Sequence, residues 1–127
     1  MKSQTARWVQ KAEADLTGAR SLGEKKPPLH DLVCFLCQQS AEKYLKALLQ
    51  DWDMVPTRTH DLVRLHALLL VRDASLRVLR RGLGSLSRYA VDFRYPGKSA
   101  SKREARAALG RAEKVRAEVR ARLGLPL

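Results

Sequence analysis

Apolar residues along this chain recur at intervals of three and four, and no stretch alternates in the period of two that a half-buried strand requires. That pattern predicts an all-α protein. Trp8, Ala12, Leu16 and Ala19 share one face of a first helix, expected from about Thr5 to Leu22. Gly23 and the GEKKPP segment end it, because Pro27 and Pro28 cannot donate a helical N–H. A second helix is expected from about Leu29 to Trp52, with Val33, Leu36, Ser40, Ala41, Tyr44, Leu45, Leu48 and Trp52 turned to the core. The DWDMVPTRT segment, punctuated by Pro56, connects it to the next element.

A third helix is expected from about His60 to Val71, with Thr59 as its cap and Asp61 in the first turn. A fourth is expected to run unbroken from Asp73 or Ser75 to Phe93 on a seam of Leu76, Leu79, Leu83, Leu86, Ala90 and Phe93. Gly82 and Gly84 weaken that helix by roughly 1 kcal/mol each relative to alanine, and either permit a close helix crossing or are simply tolerated. After FRYPGKSAS, Ser101 and Glu104 form a capping box for a fifth helix, whose seam is Ala105, Ala108, Ala112, Val115, Val119 and Leu123. Glu118 and Arg122 stand four apart on it in the favourable order. The expected architecture is a single-domain antiparallel bundle of about five helices covering residues 1–127.

Composition narrows the function classes. No apolar run approaches the ~20 residues of a membrane span. The first residues carry no apolar core of a secretory signal, so the expected location is the cytoplasm. The net charge is +12, and residues 98–127 supply half of it, with nine Lys/Arg against three acids. Such a balance attracts polyanions: RNA, DNA or nucleotides. The absence of Asn and Ile, with Arg preferred to Lys, is the bias of a thermophile or of a GC-rich genome.

Several residues invite chemistry. Cys34 and Cys37 form a CxxC, but no further Cys or His pair completes a zinc set and no strand precedes the helix, so both read as small buried hydrophobes. Glu42 and Lys46 read as an exposed four-apart ion pair, and Gln38 and Gln39 as a solvated or partner-facing flank. His30, His60, Asp61 and Asp92 have the order of a metal phosphohydrolase of the HD type. Capping accounts for Asp61, and Arg88 lies four residues from Asp92, so no metal site is expected. His66 reads as a helix-face residue.

CQQSAEKYLKALL in the second helix, THDL at residues 59–62 and FRYP at residues 93–96, in that order, resemble the HEPN domain. This small helical family is found beside minimal nucleotidyltransferases in prokaryotes and at the C-terminus of the chaperone sacsin. The likeness runs from the AxxDL at residues 12–16 through the last helix. It implies a bundle that dimerises or forms a higher homo-oligomer, associates with nucleotides such as ATP or with RNA, and works with a separately encoded nucleotidyltransferase as in toxin–antitoxin pairs. No cofactor is implied.

Some family members are metal-independent RNases that use an Arg followed, after four to six residues, by His. Here Arg88 leads to Phe93, and no His follows anywhere in the chain. Phenylalanine cannot carry the proton that an imidazole would. The chain therefore resembles the FRYP-type branch. The expected function is a non-catalytic accessory module, with an RNase of altered motif or a purely structural dimeric protein as alternatives. Arg88 and Arg94 are the expected phosphate contacts, Tyr95 the base contact, and Lys43 and Lys46 weaker phosphate contacts. In toxin members a Tyr two residues past the His is adenylylated by the partner enzyme; Tyr95 holds the equivalent place after Phe93.

Overall fold

A computed structural model describes residues 1–54 and 58–127. Among them are five α-helices, one 3-10 helix and no strand: α1 (Ser3–Glu24), α2 (His30–Asp51), α3 (Leu62–Arg72), the 3-10 helix (Ala74–Leu79), α4 (Arg80–Asp92) and α5 (Lys102–Leu123). Pro56, expected to punctuate the connection after α2, lies outside the described residues.

Helix α2 is the centre of the bundle. It packs most extensively on α1, then on α5, and also touches α3 and α4. From Val33 to Leu49 its buried residues occur on every side of the helix rather than on one stripe. Tyr44, Leu45, Leu48 and Leu49 are wholly enclosed and meet Leu16 of α1, Leu62, Leu65 and Leu69 of α3, Leu83 and Leu86 of α4, and Val115 and Val119 of α5 in one core. Leucine dominates this core, and alanine lines the seam of α5 (Ala105, Ala108, Ala112), allowing that helix to sit close to α2.

Polar ties fix the outer helices in register. Glu13 of α1 accepts from Arg116 Nε at 2.9 Å and from Arg120 Nη1 at 3.2 Å, and Arg120 also reaches the buried Tyr44 hydroxyl at 3.2 Å. Arg122 bridges Asp73 at 2.8 Å and Glu118 at 3.7 Å, joining the end of α5 to the start of the 3-10 helix. Hydrogen bonds from the Ser75 side chain and from Arg122 hold the Asp73 carboxyl down to about 2. Asp31 accepts from the backbone N–H of Ala100 at 2.6 Å, which anchors the segment after α4 against the start of α2.

The capping box at Ser101 and Glu104 forms as the sequence predicts, with Glu104 N–H to Ser101 Oγ at 3.1 Å and Ser101 N–H to Glu104 Oε1 at 3.0 Å. Gly124, at φ 72°, closes α5 in the left-handed conformation that glycine adopts without a Cβ clash. Three local expectations are corrected. Asp61, not Thr59, caps α3: its carboxylate accepts from Val63 N–H at 3.0 Å and Arg64 N–H at 3.4 Å, while Thr59 Oγ1 accepts from Asp61 N–H. The fourth helix is not continuous, because Asp73 caps a separate 3-10 turn through Ser75 before α4 begins at Arg80. His66 is buried, and its Nε2 donates to the Leu76 carbonyl at 2.7 Å, tying α3 to that turn.

Cys34 and Cys37 are free, fully buried thiols facing the core. Burial pushes them up to about 11 and about 12 respectively, so neither supplies a thiolate near neutral pH. At Gly82 a Cβ would come 3.4 Å from Arg111 Cγ of α5, an ordinary contact with a flexible side chain, and a Cβ at Gly84 would meet nothing within 4 Å, so neither glycine is required by a close crossing.

Candidate functional site

Because most of α2 is covered by the other helices, its buried polar side chains have to find partners inside the bundle or at one of its seams. Ser40 donates to the Ala12 carbonyl of α1 at 2.9 Å. Lys43 reaches Asp15 of α1 at 2.5 Å. Glu42 and Lys46 are bonded at 3.0 Å, with Lys46 Nζ also 5.5 Å from the centre of the Trp8 ring. The expectation of an exposed Glu42–Lys46 pair is corrected: their side chains are only 4% and 8% exposed. Breaking a buried pair of this kind by truncating one partner costs about 3–5 kcal/mol, since the other charge is left stranded.

The same Glu42 Oε2 lies 3.0 Å from Nδ1 of His60, which stands two residues before α3. A carboxylate only accepts, so His60 Nδ1 is the protonated nitrogen and donates to it. The ring is 80% exposed while the carboxylate behind it is 4% exposed. His60 Nε2 is thereby turned outward on a ring whose orientation is set from below. Gln38, also buried, donates from Nε2 to the His60 carbonyl at 3.4 Å, and Gln39 donates to Gln38 Oε1 at 2.8 Å. Gln38, Gln39 and Glu42 thus hold the loop residue in place from one helix.

His60 opens into a groove of about 630 Å³ between α2 and the C-terminal half of α4. Phe35, Gln38 and Gln39 form one wall; Ser87, Ala90, Val91 and Arg94 form the other, and His60 with Asp61 closes the end. Phe35, Ala90 and Arg94 also border an adjoining hollow with Leu32, Tyr89 and Phe93, where the Tyr89 and Phe93 rings stack at 5.8 Å. The groove therefore offers a cation, an oriented imidazole, two carboxamides and an aromatic ring. That set can hold a phosphate against Arg94 and His60 and a planar group against Phe35.

The residues expected to bind phosphate are not brought together. Arg94 lines the groove and has no ion-pair partner among the described residues. Arg88 is exposed on α4 and donates to Ser85 Oγ at 3.3 Å; the expected Arg88–Asp92 pair is absent among the described residues. Tyr95 follows Arg94 on the turn and is 66% exposed. Lys43 and Lys46 are committed to Asp15 and Glu42. The sequence offers His60 only as a metal candidate, because its link to Glu42 spans 18 residues of chain and leaves no spacing signal. THDL, taken with an acid on the preceding helix, is the one available hint.

Comparison with known proteins gives the same architecture. TT1696 from Thermus thermophilus is 26% identical, with a TM-score of 0.81 over 94% of this chain and 98% of that one. ST0689, described as an archaeal HEPN homologue, is 27% identical, with a TM-score of 0.74 over 96% of this chain and 98% of that one. A comparison with curated proteins gave no match. The HEPN domain family model matches residues 5–122. This chain belongs to the HEPN domain family.

Proposed function

We propose that this HEPN protein is a nucleotide- or RNA-associated accessory module that takes a phosphate-bearing ligand in the groove between α2 and α4. The observation that carries the reading is that the groove is lined both by Arg94, which has no ion-pair partner among the described residues, and by His60, whose ring is fixed by the buried Glu42. The net charge of +12 favours an anionic ligand over a neutral one. Arg94 is exposed and supports no other side chain, so Arg94→Ala weakens ATP binding by about tenfold or more, the effect of losing one charge-assisted contact, with the melting temperature nearly unchanged. Calorimetry and thermal unfolding check both; unaltered ATP affinity, or absence of binding in the parent protein, contradicts the reading.

The module works as a homodimer with a separately encoded nucleotidyltransferase. Leu32, Phe35 and Val91 are 47%, 36% and 57% exposed along the groove and its rim, an apolar border that a second copy of the chain would cover. The exposed Tyr95 is the side chain offered to the transferase for adenylylation. Light scattering after gel filtration gives twice the mass of one chain for the parent protein and the single mass for Phe35→Asp. A monomeric parent contradicts the dimer; in the same preparation, an added AMP on Tyr95 after incubation with ATP and the transferase supports the pairing.

A second reading is metal-independent RNA cleavage, and the His60–Glu42 pair favours it. An imidazole held through Nδ1 by a buried carboxylate is arranged to accept a proton at Nε2, as a general base for a ribose hydroxyl requires. His60 would then supply what Phe93 cannot. Under this reading the parent protein cleaves single-stranded RNA in the presence of a chelator, and His60→Gln slows it at least a hundredfold with the melting temperature nearly unchanged. RNA left intact by the parent protein rules it out.

A further inference from the structure

The five-helix framework has a second charged surface, at the start of α4. Arg77, Arg80, Arg81, Arg111 and Lys114 surround a hollow of about 450 Å³ between the start of α4 and the middle of α5, and no acid lines it. A second hollow of about 430 Å³ lies at the other flank of α5, where Lys25, Lys26, Lys102 and Arg106 converge from the α1–α2 connection and the first turns of α5. Glu24 is the one carboxylate lining it.

The outer face of α5 joins the two hollows. Between Arg106 and Lys114 the helix advances about 12 Å, and that stretch presents Ala107 and Gly110; a Cβ built at Gly110 would meet nothing within 4 Å. The three acids of α5 are all engaged: Glu104 in the capping box, Glu113 with Arg20 at 3.3 Å, and Glu118 with Arg122 at 3.7 Å. The cations of the strip are not neutralised in return. Lys25, Lys26, Lys102, Arg106, Arg80, Arg81 and Lys114 have no ion-pair partner among the described residues.

We infer that this strip is a docking surface for the phosphate backbone of a single nucleic-acid strand, laid across α5 from one basic hollow to the other. The separation decides against a mononucleotide, whose phosphates reach one hollow only, whereas consecutive phosphates of a strand span both. The low relief at Ala107 and Gly110 lets a strand lie close to the helix. Tyr89 beside the first hollow already carries Arg111 over its ring at 5.7 Å, so no free aromatic face is available for stacking and the contact is to backbone, without base preference. The strip is independent of the groove and stands or falls without it.

The test measures binding of a fluorescent oligouridine to the full-length protein by anisotropy at several salt concentrations. With about five phosphates neutralised, at about 0.7 per contact, log K falls with log salt at a slope near −3 to −4. The triple variant Arg80→Gln/Arg81→Gln/Lys114→Gln lowers affinity at least tenfold and flattens the slope by about 2. A control triple of equal charge, Arg7→Gln/Lys11→Gln/Arg64→Gln on α1 and α3, keeps most of the affinity and the slope. Equal loss in the two triples would reduce the effect to net charge and overturn the site, as would absence of oligouridine binding or retention of the protein by anionic vesicles alone.

Discussion

The burial of the middle of α2 among four other helices is the constraint on which the rest of this structure depends. Four helices pack around it, so the polar side chains between Gln38 and Lys46 take their partners within the protein, although Glu42 Oε1 is left without one. Hydrophobic contact sets the bundle, but the polar residues determine its details. Ser40 and Lys43 take partners on α1, which fixes how α1 lies along α2. Glu42 takes Lys46 on its own helix and His60 from beyond the connection. A charge at this depth would be a liability without both partners; with them it carries the order of the core out to the surface.

The groove is the outlet of that order. His60 is an exposed residue with the orientation of a buried one, and Arg94 lines the same groove from just past the end of α4, where the following segment is anchored by the bond from Ala100 to Asp31. Rigid helices therefore place two loop-borne groups along one groove, as functional loop residues on a rigid scaffold commonly are. The cations separate into two populations. Those on α5 nearest its C-terminus (Arg116, Arg120, Arg122) are spent on Glu13, Asp73 and Glu118, whereas those nearer its N-terminus, with Arg80 and Arg81, remain outward and unpaired.

Much of this fold is legible in the chain. Spacing of three and four locates all five helices to within a few residues, except at the start of α4, and the Ser101–Glu104 box marks the start of α5 because capping is a local interaction over three residues. The break between the 3-10 turn and α4 is not legible, since Leu76, Leu79, Leu83 and Leu86 keep the helical period straight through it. Asp73 decides that break through Ser75 and Arg122, and Arg122 is 49 residues away. For the site, FRYP points to Arg94, but spacing alone makes Lys43 and Lys46 surface cations. A spacing rule sees Glu42 four residues before Lys46 and assigns an exposed pair; it cannot see that the rest of the bundle covers that side. The Glu42–His60 bond is invisible for the same reason.

Glu42 is the buried carboxylate that orients His60, and the chemistry of the groove depends on it. Long-range proton–nitrogen NMR of the imidazole ring reads this directly. With Glu42 in place, the neutral His60 ring carries its proton on Nδ1 and leaves Nε2 bare; in Glu42→Ala, which removes the acceptor, the ring loses that preference and its signals move toward those of an unconstrained histidine. A His60 ring protonated mainly on Nε2 in the parent protein, or one whose signals are the same with alanine at position 42, would contradict the account.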